Sequence, residues 1–162
     1  MAFTPNVIDI EASGFGSTSY PIEIGVVTGN GSRYCRLIKP YSQWCHWDKQ
    51  AEQTHGISRE LLFEKGLEGR IICSELNRLF ANQTLYCDGW VVDYPWMICL
   101  FEHAGVAMQF RMSAIELLLE EQQLALWQVT KQRIETILDL PRHRASNDAV
   151  VIQRTFLQLA ND

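Results

Sequence analysis

The sequence predicts an α/β fold in which a mixed five-stranded sheet is flanked by helices. Three strand-like segments follow one another at the start of the chain, and from about residue 48 the spacing of apolar residues becomes helical. Two further strand-like segments then alternate with helices. Because short links favour antiparallel pairing and intervening helices favour parallel pairing, we expect three antiparallel strands and then two parallel ones.

The first three strands are predicted by apolar runs over residues 5–11, 20–28 and 32–39. Each of the two links between them contains two glycines, which are typical of turns. Links this short leave little room for a crossover helix, so the three strands should pair in sequence as antiparallel neighbours.

The fourth strand, Leu85–Cys87, and the fifth, residues 109–112, are short apolar segments next to predicted helices. Pro95 suits the first turn of the helix between these strands, where its missing N–H breaks no helical hydrogen bond. This placement leaves Asp93 at the N-terminal end of the helix. Two apolar helix faces flank the fourth strand: Ile71, Ile72, Leu76, Leu79 and Phe80 before it, and Trp96, Met97, Leu100, Phe101 and Ala104 after it.

The last part of the chain is predicted to be helical. Leucine and glutamate content favours helices over residues 115–127 and 129–138. Ser146 or Asn147 can cap a final helix whose apolar residues recur at helical spacing. All the elements together predict a sandwich of ribonuclease H type.

Length and composition indicate one soluble domain over residues 1–162. The chain is 47% hydrophobic and 20% charged, which is ordinary for a globular protein. No apolar stretch is long enough to cross a membrane, and the start lacks the basic and apolar blocks of a signal peptide. We therefore expect a cytoplasmic protein without a membrane partner.

Cysteine content and charge narrow the function classes. The five cysteines are scattered and form no C-x-x-C pair, so neither a disulfide framework nor a zinc site is indicated. The net charge of −5 argues against long-range binding to duplex nucleic acid, which normally requires a basic face. It does not exclude an enzyme that grips only a chain end.

Two carboxylates lie inside the first predicted strand. Asp9 and Glu11 are two residues apart, so they leave the strand on the same face, about 7 Å apart along it. This arrangement can bracket one hard cation. The alternative is a strand end at which both acids are solvated.

Further acids lie where other elements begin or end. Asp93 follows the fourth strand, and His143 and Asp148 precede the last helix. If the fourth strand lies beside the first, these groups converge on one edge of the sheet. Four carboxylates in one pocket would raise each other's pKa unless divalent cations neutralised them, so the clustering itself implies metal.

Three ordered motifs and one loop resemble the DEDDh group of 3′ to 5′ exonucleases, which includes proofreading exonucleases, ribonuclease T and oligoribonuclease. The motifs are VIDIEASGF at residues 7–15, CDGWVVD at 87–93 and HRASNDA at 143–149. Residues 53–57, QTHGI, resemble the HGI loop of the group. The resemblance covers nearly the whole chain, and the four residues between the last histidine and aspartate distinguish this branch from the tyrosine branch.

The resemblance implies roles for five residues. Asp9, Glu11, Asp93 and Asp148 correspond to the four metal-binding carboxylates, and His143 corresponds to the general base. Two Mg²⁺ or Mn²⁺ ions about 4 Å apart would clamp the scissile phosphate. An imidazole, with a reference pKa of about 6.5, is suited to accept a proton from water near neutral pH. The product would be nucleoside 5′-monophosphates.

The resemblance also implies a substrate-binding segment formed by Ala12, Ser13, Gly14, Phe15 and His55. Ala12 stands where the family usually has threonine, so any hydroxyl contact at that position is lost, while backbone contacts to the terminal sugar could survive. Phe15 matches the apolar residue that packs on the 3′-terminal base.

Each of these residues also has a structural interpretation. Asp148 and Asp93 could be acids that favour a helix start through the helix dipole. His143 could be a surface residue or a phosphate contact, since it lies between two arginines. His55 could be a hydrogen-bonding loop residue, and Phe15 a buried plug behind the glycine turn.

Five other residues have open interpretations. Asp88 could support the metal ligands from behind, because it precedes Asp93 by five positions. Glu23 could hydrogen-bond within the sheet or support the site. Tyr41, Trp44 and Trp47 could stack on bases, although loop aromatics more often close the edge of a core.

The leading hypothesis is a metal-dependent 3′ to 5′ exonuclease that acts on 3′ ends of single-stranded DNA or RNA or on short oligonucleotides. One alternative is a catalytically silent ribonuclease H-like module that binds nucleic acid or protein. Another is an endonuclease of ribonuclease H type, for which the pair of His143 and Asp148 is not expected. A homodimer, in which a partner subunit supplies basic residues, is consistent with the negative charge.

Overall fold

The structure is a computed structural model that describes residues 3–161. Its five-stranded sheet has the spatial order β3-β2-β1-β4-β5. The β1–β2 and β2–β3 pairs are antiparallel, whereas the β1–β4 and β4–β5 pairs are parallel, which confirms the predicted mixed sheet. The strands are β1 (Asn6–Ala12), β2 (Pro21–Val27), β3 (Arg33–Leu37), β4 (Thr84–Cys87) and β5 (Arg111–Ala114).

Seven α-helices of the described chain accompany the sheet, together with a 3-10 turn at Ile115–Leu118. None of the helices between residues 3 and 161 is long and apolar enough to span a membrane. The helices are α1 (Lys49–His55), α2 (Arg59–Lys65), α3 (Gly69–Phe80), α4 (Trp90–Ala104), α5 (Glu121–Ala125), α6 (Trp127–Leu138) and α7 (Ala145–Asn161).

Helices cover both faces of the sheet, so β2 is buried along its whole length. The face that carries Ile8 and Ile10 of β1 packs against α3 and α4. The opposite face, which carries Val7, packs against α7. Asp9 and Glu11 alternate with the two isoleucines and therefore lie on the α7 side of the strand.

The first turn of α7 rests directly on β2 at Gly25. A Cβ atom added to Gly25 would lie 2.0 Å from the backbone nitrogen of Ser146, so α7 could not approach this closely over any other residue. Gly25 is paired with Asp9 in the sheet. This contact brings the start of α7 beside the carboxylates of β1.

Helix α4 begins earlier than the sequence predicts. It starts at Trp90, after Gly89, so Asp93 lies in the first turn and Pro95 lies inside the helix rather than in that turn. The missing N–H of Pro95 leaves the carbonyl of Val91 without its helical partner. The side chain of Val91 is 78% exposed, so this turn is at the surface, where water can satisfy the carbonyl.

The start of α7 also differs from the prediction. The helix begins at Ala145, so Ser146 and Asn147 lie in its first turn and neither is the cap. The side chain of Glu23, from β2, accepts a hydrogen bond from the Ala145 N–H at 2.9 Å and satisfies one of the free amides. A residue distant in sequence therefore takes the place of a local cap.

The predicted helix over residues 115–127 is interrupted. Leu119 has an extended backbone after the 3-10 turn, and Glu120 starts α5 through a reciprocal capping box with Gln123. Helix α6 then begins at Trp127, two residues before the predicted start, and β5 lies two residues after its predicted place.

Candidate active site

A pocket of about 510 Å³ lies where β1 ends, between the starts of α4 and α7 and the side of α1. All four predicted metal-binding carboxylates and the predicted base line it. Three segments far apart in the chain therefore meet at one place. The predicted site residues on its wall are Asp9, Glu11, Ala12, Gly14, Phe15, His55, Asp93, His143 and Asp148.

Asp93 reaches the pocket because α4 starts directly after β4. Strand β4 is parallel to β1, so both strands end at the same edge of the sheet. Asp93 is 3% exposed, and its Oδ2 atom has no hydrogen-bond partner among residues 3–161. Gly89 makes room for this carboxylate, because a Cβ atom there would lie 3.1 Å from Oδ2.

His143 and Asp148 are joined by a tight turn at the start of α7. The backbone N–H of His143 donates a hydrogen bond to Oδ2 of Asp148 at 3.1 Å. His143 has a φ of 57°, a left-handed conformation that is uncommon for residues other than glycine. Glu11, His143 and Asp148 each offer a ligand atom, and these three atoms lie within 4.8 Å of one another. This group differs from the predicted all-carboxylate set in two ways: it includes the histidine, and it leaves out Asp9 and Asp93, which line the same pocket.

An ion pair between half-exposed Arg144 and a buried carboxylate of β2 joins this turn to the sheet. Glu23 is fully buried, and it accepts hydrogen bonds from Nε of Arg144 at 3.1 Å and from Nη2 at 2.6 Å, in addition to the Ala145 N–H. Glu23 is paired with Glu11 across the two strands. Glu23 therefore has the supporting position that the sequence left open, and it holds Arg144 and Ala145, the two residues that follow His143.

Burial and mutual repulsion raise the pKa values of the clustered acids. Burial, and then the charge of Asp93, raises the pKa of Asp9 well above its ordinary value. Burial raises the pKa of Asp93 in the same way, with Asp88 as the first of the repelling charges. For Glu11, burial and then Asp148 raise the pKa to about 7.

A neighbouring arginine offsets part of the effect of burial on the pKa of Asp148. Burial raises the pKa of Asp148, while Arg142 opposes that shift. The Nε atom of Arg142 lies 3.6 Å from Oδ1 of Asp148, and its Nη1 atom lies 2.7 Å from Glu135. Oδ1 makes no hydrogen bond within the described part of the chain. Two carboxylate oxygens, one on each of the aspartates at the helix starts, are therefore available to a hard cation.

Phe15 and Trp96 form an apolar wall of the pocket. Phe15 is 76% exposed, so it is not the buried plug that the sequence also allowed. The two ring centroids lie 6.3 Å apart, and the Trp96 indole N–H donates a hydrogen bond to Ser19 at 2.8 Å. An exposed aromatic ring beside a carboxylate cluster can stack on a base.

Ser13 and Gly14 have different surroundings although they are adjacent. Ser13 is fully buried, and its hydroxyl contacts Nδ1 of His46 at 2.9 Å and the N–H of Tyr20 at 3.1 Å. Its side chain is therefore engaged behind the pocket wall. Gly14 lies on the wall with a φ of 145°, and an added Cβ atom would lie 2.7 Å from Asp48.

His55 combines a structural bond with a place on the pocket wall. Its Nδ1 atom accepts a hydrogen bond from the N–H of Ile57 at 3.0 Å, which places the proton of the neutral ring on Nε2. Burial lowers the pKa of His55 and favours that neutral form.

Among the loop aromatics, Trp44 is buried and stacks on Tyr20, so it closes the edge of the core.

Eight residues of the wall were not predicted as site residues from the sequence. The one local signal is at Asp48, whose side chain accepts the Gln50 N–H at 2.8 Å and caps α1. An acid immediately before a helical segment is a cap signature, although it does not reveal a site. These residues are Ile10, Asp48, Gln50, Ala51, Thr54, Gly89, Val92 and Trp96.

Solved structures of exonuclease I share this fold. E. coli exonuclease I in complex with a dA16 oligonucleotide matches 99% of this chain with a TM-score of 0.68 and 12% sequence identity, over 43% of its own length. The zinc-bound E. coli complex with single-stranded DNA also matches 99%, with a TM-score of 0.67, 13% identity and 43% of its length.

A third match is exonuclease I from Methylocaldum szegediense, described as moderately thermophilic. It covers 98% of this chain and 40% of its own length, with a TM-score of 0.60 and 12% identity. Neither a protein family nor a curated protein matches the sequence. The chain spans less than half the length of the solved structures it matches, and at these identities the likeness establishes the fold alone.

Proposed function

We propose that residues 1–162 form a metal-dependent 3′ to 5′ exonuclease domain of the DEDDh group. The observation that carries this proposal is that Asp9, Glu11, Asp93, His143 and Asp148 line one pocket although three distant segments supply them. A protein that only binds nucleic acid gains nothing from four clustered carboxylates, since they repel both one another and phosphate.

The donor set fits two Mg²⁺ or Mn²⁺ ions. Asp9, Glu11, Asp93 and Asp148 would hold them, because hard cations prefer carboxylate oxygens and two of these oxygens make no hydrogen bond within residues 3–161. Burial and mutual repulsion raise the pKa values of the acids, so a bound cation would stabilise their charged forms. When bound, such ions would neutralise the scissile phosphate and polarise its phosphorus–oxygen bonds.

His143 is the proposed general base. Its imidazole lies beside Glu11 and Asp148. The hydrogen bond from the His143 backbone N–H to Oδ2 of Asp148 fixes the position of the histidine relative to this carboxylate. In this role the imidazole accepts a proton from the attacking water. The ion pair of Glu23 and Arg144 keeps the turn in place during that step.

The proposed substrate is the 3′ end of a single strand. Phe15 and Trp96 supply an exposed aromatic wall for the terminal base, and Ala12, Gly14 and His55 lie beside them. The pocket volume of about 510 Å³ is typical of a site for one small ligand, which favours a chain end over a duplex. The oligonucleotide complexes of exonuclease I, which has the same fold, support a single-stranded substrate.

Digestion of end-labelled strands tests the proposal. With Mn²⁺ or Mg²⁺, a 3′-labelled single strand should release labelled mononucleotide first, and a 5′-labelled strand should shorten stepwise. Matched RNA and DNA oligomers of graded length identify the preferred substrate. Internal cuts would indicate an endonuclease, and the absence of metal-dependent cleavage would indicate the silent module.

Two substitutions separate catalysis from metal binding. His143→Ala should keep Mn²⁺ binding but lose most activity, whereas Asp9→Asn should weaken both. Glu64→Gln, at an exposed acid of α2, is the matched control and should change neither. Near-normal rates in His143→Ala would show that the base is assigned wrongly.

A further inference from the structure

An ion pair lies behind the acidic pocket and is not part of its wall. Asp88 is the residue between β4 and Gly89, and Lys131 is in α6. The Lys131 Nζ atom lies 2.5 Å from Oδ2 of Asp88. Their side chains are 15% and 22% exposed for Asp88 and Lys131, so this pair is considerably more buried than the surface pairs of the molecule.

Both members of the pair act electrostatically on the proposed metal ligands. Asp88 is the first of the charges that raise the pKa of Asp93, and it also contributes to that of Asp9. Lys131 acts in the opposite direction on Asp93 and on Asp148. The pair is therefore near enough to influence the site, yet its net charge is close to zero.

The pair also joins two parts of the fold that deliver ligands. Asp88 belongs to the junction that ends in Asp93, five residues later. Lys131 belongs to α6, which packs against α7, and α7 carries Asp148. Each member therefore lies on, or packs against, a segment that carries a proposed ligand.

We propose that Lys131 is a positioning residue that acts through Asp88. By neutralising Asp88, it keeps this fifth carboxylate from competing with Asp93 for a cation, and Asp88 in turn keeps the ammonium group away from Asp93 and Asp148. This inference rests on the proposed function. Residues that orient metal ligands from behind typically change metal affinity or activity 10–100-fold when they are substituted.

The two single variants should differ in Mn²⁺ binding, and this difference distinguishes a positioning role from a merely structural one. Asp88→Asn leaves the ammonium group unpaired beside the ligands, so Mn²⁺ affinity should fall about 10-fold or more. Lys131→Met leaves an additional carboxylate, so Mn²⁺ should bind no more weakly, but kcat should fall about 10-fold because the cation is drawn from Asp93. The two affinities are measured by calorimetry.

Two further variants test the coupling between the residues. The double variant Asp88→Asn/Lys131→Met restores electrical neutrality, so its Mn²⁺ affinity should return to within about 3-fold of the unsubstituted protein. Lys131→Arg retains the positive charge, so it should keep most of kcat. Lys39→Met and Glu68→Gln, at an exposed pair 3.2 Å apart, are matched controls.

The outcomes separate the possible failures. If the unsubstituted protein binds Mn²⁺ and both single variants bind it equally well, or both lose only thermal stability, the inference is wrong and the proposed function stands. If Lys131→Met raises KM for the oligonucleotide and the double variant does not recover, Lys131 contacts phosphate directly and the inference is again wrong. If the unsubstituted protein binds no Mn²⁺, the proposed function fails first, and the inference falls with it.

Discussion

Replacing Gly25 by alanine tests how closely α7 must approach the sheet. The added methyl group would lie 2.0 Å from the nitrogen of Ser146 and 2.2 Å from the carbonyl carbon of Ala145, and both are backbone atoms. Ordinary contact begins at 3.4 Å, so the first turn of α7 has to move by more than 1 Å. His143 and Asp148 would move with it, away from Asp9 and Glu11.

The displacement of α7 determines how large the losses of stability and of activity should be. Forcing a methyl group into a packed interface costs about 1–3 kcal/mol of folding free energy. A displacement of about 1 Å between reacting groups can lower a rate about 100-fold. We therefore expect Gly25→Ala to be folded but less stable, with kcat/KM reduced by about two orders of magnitude.

Denaturant unfolding and Mn²⁺-dependent hydrolysis of a labelled oligonucleotide measure the two effects. Gly31→Ala is the control, because Gly31 has a φ of 86° and open space at its Cβ position, in the turn between β2 and β3. This control should lose about 1 kcal/mol through backbone strain and keep its activity. A Gly25→Ala protein as active as the Gly31→Ala protein would refute the reasoning.

Three more predictions follow from the site. Phe15→Ala should raise KM about 10-fold with little change in kcat or stability, because the exposed ring is the proposed stacking surface for the terminal base; an unchanged KM in initial-rate measurements would exclude stacking. Glu23→Gln should lower the free energy of unfolding by roughly 1–3 kcal/mol, because Arg144 loses its charged partner; urea titration checks this, and full stability would contradict it. Metal-free protein should lose on the order of 2 kcal/mol of stability between pH 4.5 and 7, since raised pKa values of Asp9 and Glu11 mean that the folded state holds protons which the unfolded state releases. Saturating Mn²⁺ should remove this loss, and stability that rises with pH over that interval would be inconsistent with the assigned shifts.

Local patterns in the sequence were sufficient to predict the fold and to predict that the proposed site residues lie close together. The two-residue spacing of Asp9 and Glu11 places both side chains on one strand face whatever the rest of the chain does. Asp93 follows a recognisable strand end, and the parallel pairing of β1 and β4 brings it to the edge where β1 ends. Asp148 lies in the first turn of α7, which packs on β2 beside β1. The resemblance supplied the role of His143.

The remaining features depend on contacts between residues distant in sequence. Glu23 binds the first turn of α7 in place of a local cap, although it lies 122 positions earlier in the chain. No sequence periodicity predicts such a contact. Lys131 and Asp88 are separated by 43 positions and belong to elements with no shared motif. Pro95 was misplaced for a different reason: the preference of proline for a first turn is statistical, and a solvent-facing turn tolerates the lost hydrogen bond.

The central claim is that the carboxylates of three segments share a pair of divalent cations. Crystals soaked in Mn²⁺ and measured at the manganese absorption edge test it directly. Two anomalous peaks are expected among Asp9, Glu11, Asp93 and Asp148, with His143 facing them. Carboxylates that point apart, with no manganese in the pocket, would contradict it.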